Sequence, residues 1–242
     1  MHGSQHGGAE LPVLIWDSMW ARRGNERIEG FTDTLVPGDI LVVNGSPAGL
    51  FHDVATGTVG HHRGRLLLRG CDIPGDLGRR PDVAGVVGGA PRLYGPTAAE
   101  SVLTHLGLAG VRRHAAVQAA RRVLRSFGLE PLASVPLHRL DNETLWVLDL
   151  ARATAPQPDL LLVNDPWRHF GADRSLRETF LLGLTFAAVH PRRPAGVVLC
   201  TKDPSAADRL RDMPGGSRTR AVMLSYHGRT MGSDGRFDAD AG

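Results

Sequence analysis

The pattern of apolar and polar residues divides the chain into an early part of short strands and a later part rich in helices. Three β-type runs come first, at residues 11–16, 39–45 and 65–70. From Thr97 the pattern changes, because Thr97 and Glu100 have the spacing of a capping box and an apolar-periodic segment follows. The sequence therefore predicts that helices take over at this point.

One helical segment, at residues 109–129, combines an apolar stripe with many arginines. Helical spacing predicts that the stripe is made of five residues: Val111, Ala115, Ala119, Val123 and Leu124. We interpret the arginines as a solvated basic face above a core-facing stripe.

The last third of the chain alternates between strand and helix patterns. Two short, continuously apolar runs, at 159–166 and 196–201, are typical of strands buried on both faces. A helical pattern at 175–191 lies between them, and another at 204–213 follows the second run. This order favours an α/β sheet with parallel strands, followed by a final hairpin around residues 226–228.

Length and composition indicate one globular domain. A chain of 242 residues with 42% hydrophobic residues can bury a full core. We expect this domain to lie between flexible tails at 1–10 and 233–242, with helices dominating from Thr97 to about residue 155. The longest mainly apolar stretch, at 180–189, is too short to cross a bilayer, so a cytoplasmic protein is expected.

Neither the cysteines nor the net charge of the chain indicates a specific binding or catalytic chemistry. Cys71 and Cys200 are far apart and belong to no metal-like cluster, so two ordinary buried thiols and no metal site are expected. The formal charge is only +3, and the arginines are scattered and rarely interleaved with aromatics, which argues against nucleic acid as a partner. Lys202 is the only lysine, so any lysine-dependent chemistry must involve it.

The most specific pattern lies at residues 140–167, where a turn leads into a helix containing Ala-Arg-Ala, a Pro-x-Pro-Asp linker and an apolar strand ending in Asn-Asp-Pro. With the strand and turn at 39–49, the hairpin at 64–73 and the turn at 201–210, it resembles the nucleotide-binding domain of ABC transporters over nearly the whole chain. The resemblance implies an α/β, P-loop-NTPase-like fold with a mostly parallel core sheet, an N-terminal antiparallel β part and a helical subdomain. It places a single domain at residues 11–232, with the helical subdomain at about 96–155. It also implies ATP as the ligand.

The phosphate loop of that family is altered here. The family's loop needs glycines that expose backbone N–H groups, a lysine for the phosphates and a Ser or Thr hydroxyl for Mg²⁺. An ungapped fit places Ala48 at the lysine position and Gly49 at the hydroxyl position, and Pro47 removes an N–H group. The remaining nucleotide-binding positions that the resemblance implies are Asn44, Gly45 and Ser46. These replacements predict weak ATP binding.

The resemblance assigns roles to four further positions: Mg²⁺ binding, general-base catalysis, contact with the γ-phosphate and stacking on adenine. Asn164 stands where the family has the aspartate that supports Mg²⁺, so Mg²⁺ is not expected to bind tightly. Asp165 replaces the general-base glutamate, although it could instead cap the next turn. Lys202 replaces the switch histidine and could still contact a γ-phosphate. Trp20 either stacks on adenine or is a partly buried hairpin aromatic.

The signature turn, which meets the γ-phosphate held by an opposite subunit, contains Asp141, Asn142 and Glu143 here. Two acids in place of the family's Ser-Gly would repel a phosphate. After the altered loop come His52 and Asp53, which we interpret as solvated helix residues.

The leading hypothesis is a degenerate pseudo-ATPase that acts as a cytoplasmic partner or regulatory subunit of a membrane transporter. It would dock on a membrane permease at the inner face of the membrane, and it could pair with another ABC subunit as a homo- or heterodimer. A second hypothesis is a divergent but active ABC ATPase, with Asp165 as the base and Lys202 as a γ-phosphate contact. A third is an arginine-rich module associated with nucleic acid.

Overall fold

The computed structural model describes residues 11–60, 63–73, 77–88, 93–170, 174–224 and 230–231. The tails expected at 1–10 and 233–242, and the predicted turn at 226–228, lie outside these residues. Within the described ranges, no helix combines the length and the apolar character that a membrane span requires.

The strand and helix patterns read from the sequence within the described residues are present, and the structure adds the strands at Glu26–Leu35 and Ala84–Val87, which were not predicted. The strands are β1 (Leu14–Arg23), β2 (Glu26–Leu35), β3 (Ile40–Gly45), β4 (Arg63–Leu68), β5 (Cys71–Asp72), β6 (Ala84–Val87), β7 (Leu160–Asn164), β8 (Gly196–Thr201), β9 (Thr219–Leu224) and β10 (Thr230–Met231). The helices are α1 (Ala48–Ala55), α2 (Ala98–Leu108), α3 (Arg113–Ser126), α4 (Asn142–Thr154), α5 (Arg174–Ala188) and α6 (Ala206–Arg211).

Two sheets organise the molecule. The first is a four-stranded antiparallel sheet in the order β2-β1-β4-β5. The second has six strands in the order β10-β9-β3-β8-β7-β6, and all of its neighbouring strands are parallel except β10 and β9. The predicted fold class, with its parallel core sheet, N-terminal antiparallel part and helical part, is confirmed.

The parallel strands are buried because helices and the antiparallel sheet cover both faces of the six-stranded sheet. Residues of β3, β7 and β8 alternate between two core clusters, one formed with α2, α3, α4 and α5 and the other with α1 and the antiparallel sheet. The continuous apolar runs at 159–166 and 196–201 predict this arrangement correctly, since a strand covered on both faces needs apolar residues at every position.

The first helix of the helical part begins where the capping box predicts. Thr97 is the N-cap of α2, its hydroxyl accepts a hydrogen bond from the Glu100 N–H at 3.3 Å, and it donates to the Glu100 carboxylate at 2.7 Å. This contact satisfies one of the N–H groups that a helix start leaves unpaired.

Two details of the sequence interpretation are wrong. The buried stripe of α3 contains Ala116, Ala120 and Leu124, whereas Ala115 is exposed. The predicted Val111, Ala119, Val123 and Leu124 do pack against the core, so only Ala115 is misplaced. Cys200 is buried as expected, but Cys71 is exposed, because it lies on the short edge strand β5.

Candidate functional site

The positions singled out from the sequence meet at one edge of the parallel sheet. Strand register pairs Asn44 of β3 with Thr201 of β8, and Asn164 of β7 with Cys200 of β8. The carboxyl ends of these strands therefore lie side by side, which is where ligands bind in open α/β sheets. The altered phosphate loop, the Asn164-Asp165 pair and Lys202 all follow directly from these ends.

The connection between β3 and α1 is very short. The strand continues through Gly45 and the helix begins at Ala48, so only Ser46 and Pro47 lie between them. Gly45 has a φ of +115°, and a Cβ atom built on it would lie 2.0 Å from the Leu224 carbonyl oxygen. Glycine is required here because the backbone packs directly against the end of β9.

The start of α1 is packed into the protein. Pro47 is the N-cap with no side-chain capping hydrogen bond, and its carbonyl oxygen accepts from the Phe51 N–H at 2.9 Å. Ala48, which stands at the lysine position of the resemblance, is only 2% exposed and belongs to the core cluster with α1 and the antiparallel sheet. A side chain at position 48 therefore faces the core rather than the sheet edge.

Asn44 is a structural crosslink between β3 and the turn after β8. Its side chain is 4% exposed, and its amide nitrogen, oriented by its hydrogen-bond partners, donates to the Asp203 carbonyl oxygen at 3.0 Å and the Thr201 carbonyl oxygen at 3.3 Å. The Asn44 amide therefore donates its hydrogen bonds to groups within the protein.

Arg23 lies next to α1, a placement that the sequence interpretation missed. Its guanidinium forms ion pairs with Glu26 at 2.8 Å and with Asp53, and a Cβ atom on Gly49 would lie 3.7 Å from its Nη2. No local motif identifies Arg23, because it reaches α1 from the far end of the β1 strand. Its contacts bring a cation to the place where the resemblance puts a metal-binding hydroxyl.

His52 is buried, so the interpretation of a solvated residue is wrong there, whereas Asp53 is half-buried. His52 is 5% exposed, its Nδ1 lies 3.3 Å from the Asp53 carboxylate, and its Nε2 has no partner among the described residues. The hydrogen bond with His52, together with the Arg23 contact, holds the pKa of Asp53 below its usual range, against the opposing effect of burial. The group is an electrostatic network that runs from the buried His52 through Asp53 to the exposed Arg23.

The Asn164-Asp165 pair adopts an unusual backbone. Asp165 has a φ of 40° and a ψ of 56°, a left-handed conformation that Asp tolerates better than most residues. Its side chain makes no capping hydrogen bond to the following 3-10 turn (Pro166–His169), so the capping interpretation is wrong. A Cβ atom on Gly88, at the end of β6, would lie 2.7 Å from the Cβ of Asn164, which packs the two strand ends together.

Lys202 is exposed in a tight turn at the end of β8. The turn is closed by hydrogen bonds from the Asp203 N–H to the Thr201 hydroxyl at 3.0 Å and from the Ser205 hydroxyl to Asp203 at 2.7 Å. Arg209 pairs with the other Asp203 oxygen at 3.1 Å. These hydrogen bonds fix the turn that carries the exposed Lys202 at the sheet edge.

Trp20 lies on the antiparallel sheet, where it is 39% exposed. It packs over Gly30 of the neighbouring strand, since a Cβ atom there would lie 3.7 Å from its indole nitrogen. This placement agrees with the hairpin interpretation, and the adenine contact stays a prediction. Within the described ranges, no group of three or more His, Cys, Asp or Glu residues is arranged to hold a metal ion.

Comparison with known proteins identifies the relatives of this chain. No protein-family model matches it. The taurine import ATP-binding protein of Shigella boydii is 30% identical over 166 residues, which are 66% of this chain and 64% of that protein. The aliphatic sulfonates import ATP-binding protein of Paracoccus denitrificans is 37% identical over 112 residues, 46% of this chain and 44% of that protein. This chain is similar in sequence to ABC transporter ATP-binding proteins over part of its length.

Solved structures agree on the fold. The ATP-binding subunit of an ABC transporter superposes with a TM-score of 0.72 and 18% identity, over 91% of this chain and 88% of that chain. The present chain therefore has the fold of an ABC nucleotide-binding domain, although its match spans less than two thirds of the length of the two sequence relatives.

The position that the resemblance assigns to the signature turn is the start of α4. Asp141 is the N-cap, and its carboxylate accepts hydrogen bonds from the Thr144 N–H at 2.7 Å and the Thr144 hydroxyl at 3.0 Å. Asn142 and Glu143 form the first turn. A carboxylate at this N-terminus stabilises the helix, and it places negative charge where the ABC resemblance implies a phosphate contact.

The Ala-Arg-Ala segment of this ABC relative forms a buried polar link. Arg152 is 2% exposed and donates to Asp149 at 2.8 Å, to the Val86 carbonyl oxygen at 2.8 Å and to Nδ1 of His105 at 3.0 Å. Burial and the charge of Arg152 lower the pKa of His105 to about 3. The neutral imidazole accepts from Arg152, so α2, α4 and β6 are joined at one point.

Proposed function

We propose that this protein is a degenerate ABC ATP-binding subunit that acts through its partners rather than through efficient ATP hydrolysis. The observation that carries the proposal is the two-residue connection between β3 and α1. A phosphate loop of the form G-x-x-x-x-G-K-[ST] needs a longer glycine-rich segment that exposes its N–H groups to the β-phosphate. If Gly45 is the first glycine of this motif, its lysine and hydroxyl positions are Phe51 and His52, which lie inside α1 and supply neither group. Here Gly45 packs against Leu224 instead.

The residues around this connection do not fit a Mg²⁺–triphosphate. Ala48 faces the core, Gly49 lacks a hydroxyl, and Arg23 with its two carboxylates lies beside Gly49. Asn164 is neutral and is a poorer ligand for a hard cation than a carboxylate. We therefore expect ATP to bind weakly, and Mg²⁺ to add little to its affinity.

A divergent, slowly active ATPase is the alternative. It is favoured by one observation, the left-handed backbone of Asp165 at the end of β7, because strained residues of this kind cluster at functional sites. In this alternative, Asp165 orients the attacking water and Lys202 contacts the γ-phosphate.

The partners that we propose come from the relatives. Their names describe import ATP-binding proteins, so we propose that this chain, too, works at the inner face of a membrane with a permease. The helical part within residues 96–155 is the proposed permease-facing region. The sheet edge described above is the proposed face for a second ABC subunit, whose own phosphate loop would carry out any hydrolysis.

The test is a titration of the purified chain with a fluorescent ATP analogue, with and without Mg²⁺, beside an ATPase assay on the same preparation. The proposal predicts affinity in the range of about 1 mM or weaker and no turnover above background. Asp165→Asn is the matched variant, because it changes charge without changing shape. We expect it to leave both measurements unchanged.

Tight Mg²⁺-dependent binding, with turnover that Asp165→Asn abolishes, would establish the alternative. Co-purification with a permease or an active ABC subunit tests the proposed partnership separately. A chain that neither binds ATP nor co-purifies with such proteins would contradict the proposed role in transport.

A further inference from the structure

The positive charge of this chain is concentrated in one stretch. Residues 101–129 contain five arginines and no aspartate or glutamate, whereas the rest of the chain has 23 lysines and arginines against 25 acidic residues. The formal charge is therefore +5 over these 29 residues and −2 over all the others. The stretch forms most of α2, the turn that follows it and all of α3. We call residues 101–129 the α2–α3 hairpin.

The arginines of the hairpin lie at the protein surface. While α3 buries its apolar stripe in the core, all five arginines are exposed: Arg112, Arg113, Arg121, Arg122 and Arg125. Arg125 pairs with Glu130 at 2.7 Å. Among the residues that the structure describes, none forms an ion pair with the other four arginines. Four guanidinium groups on one hairpin are therefore available to bind anions.

An exposed apolar side chain lies close to these cations along the chain. Leu108, the last residue of α2, is 64% exposed and precedes Arg112 by four residues, in the turn that leads into α3. Leucine next to arginine suits the boundary of a bilayer, where apolar side chains leave water and cations meet lipid phosphates. Nucleic acid fits less well, because the one aromatic residue of the hairpin, Phe127, is buried and cannot stack on a base.

We propose that the α2–α3 hairpin binds the anionic phospholipid headgroups of a membrane. The choice of a lipid surface rests on the proposed function, which places this chain at the inner face of a membrane, where anionic lipids give a negative surface potential. With 14 residues, α3 is about 21 Å long, so its arginines can contact several headgroups at once. Leu108 enters the boundary between the headgroups and the acyl chains.

Vesicle co-sedimentation with the full chain tests the proposal. The probe is a vesicle of phosphatidylcholine with about 30% phosphatidylglycerol, which gives the surface a negative potential, and vesicles of phosphatidylcholine alone are the uncharged control. We expect binding to the anionic vesicles only. This binding should weaken steeply as salt rises from about 0.05 M to about 0.5 M, because salt screens charges at a surface.

Removal of charge locates the contact on the protein. One arginine at an anionic membrane contributes about 5-fold to the partition coefficient, so Arg121→Gln with Arg122→Gln should weaken vesicle binding by about 25-fold. The matched control is Arg63→Gln with Arg65→Gln, because these exposed arginines lie on β4 in the antiparallel sheet and their loss changes the net charge equally. We expect the control to bind like the wild type. Circular dichroism checks that both variants fold.

A dye at position 108 tests whether the end of α2 enters the membrane boundary. In a Cys71→Ser background, Leu108→Cys is labelled with an environment-sensitive dye, while the buried Cys200 stays unlabelled. The emission should shift to the blue when anionic vesicles are added, because the dye moves from water to a less polar place. The same dye on Cys71 of the wild-type chain, which is exposed on β5, should not shift.

A chain that does not bind anionic vesicles at low salt would overturn the proposal. Equal losses of binding in the two double variants would also overturn it, because net charge rather than the hairpin would then decide, and so would an unshifted dye at position 108. Tighter binding to duplex DNA than to vesicles, at equal phosphate concentration, would identify nucleic acid as the partner instead. Vesicle binding requires neither ATP nor a permease, so its failure leaves the ATP titration and the co-purification of the proposed function unaffected.

Discussion

The Gly45 backbone lies directly beneath the carbonyl oxygen of Leu224, where a Cβ atom would lie 2.0 Å from that oxygen. Gly45 also has a φ of +115°. We expect Gly45→Ala to lower the free energy of unfolding by about 2–4 kcal/mol, because it adds both a steric clash and a strained backbone. Urea unfolding followed by circular dichroism measures the change. An unaltered midpoint would mean that β3 and β9 are not packed together at this point.

Gly49 provides the control for that substitution. It lies inside α1 and its nearest neighbour would be Arg23 Nη2 at 3.7 Å, an ordinary contact distance. Gly49→Ala should therefore raise the free energy of unfolding by up to about 1 kcal/mol, since alanine favours a helix over glycine. Opposite effects four residues apart would separate the packed strand end from the helix that follows it.

Asn44 should matter for folding rather than for ligand binding. Removing its buried amide leaves the Thr201 and Asp203 carbonyl oxygens without their donor, so Asn44→Ala should cost about 1–3 kcal/mol in unfolding free energy. Asn44→Asp should cost more, because a carboxylate would face two carbonyl oxygens. Chemical denaturation ranks the unfolding free energies of the two variants. An Asp variant more stable than the Ala variant would contradict the hydrogen bonds from Asn44 to the turn.

His105 should make stability depend on pH. Its pKa is about 3 in the folded protein and 6.5 ordinarily, so the imidazole is neutral in both states above pH 6.5. As pH falls below 6.5, the unfolded chain takes up a proton that the folded protein excludes, and stability falls by at most about 1.4 kcal/mol per pH unit until pH approaches 3. His105→Gln keeps an acceptor for Arg152 but cannot titrate.

The measurement compares wild type and His105→Gln in urea between pH 7.5 and about pH 5, a window above most carboxyl titrations. The difference in unfolding free energy between the two proteins should narrow or change sign as pH falls. Parallel curves would show that His105 does not titrate on unfolding.

The two thiols should react at very different rates. Cys71 is exposed on β5, whereas Cys200 is fully buried, and that burial raises the pKa of its thiol. A thiol reagent should label one cysteine in the folded protein and the second only in denaturant. Rapid labelling of both in native buffer would mean that β8 opens readily. Cys71→Ser should leave no fast phase.

Much of the fold could be predicted from local patterns. The apolar runs that became β7 and β8, and the Thr97 capping box, are signals that a few neighbouring residues encode. The resemblance to the ABC domain, taken from motifs in the right order, then supplied the sheet arrangement. In α3 one residue of the predicted stripe was misplaced, because Ala115 and Ala116 are equally apolar and only packing against α2 and α4 distinguishes them.

The site was harder to predict, because its contacts join distant parts of the chain. Asn44 meets the Thr201–Asp203 turn through more than 150 intervening residues, and Arg23 reaches Asp53 from the end of a strand. The sequence shows which family residues are replaced, but it does not show what the replacements touch. The β3–α1 connection is short because β3 continues through Gly45, and the sequence pattern does not show where this strand ends.

The exposed position of Lys202 allows the sheet edge to be labelled chemically. Because this is the only lysine in the chain, an amine-reactive dye will attach there and at a free chain terminus and nowhere else. The dye would lie beside the carboxyl ends of β3, β7 and β8, where a second subunit is proposed to dock. Its fluorescence would report association in real time without any engineered residue. The single lysine therefore allows subunit association at this edge of the sheet to be followed in the unmodified sequence.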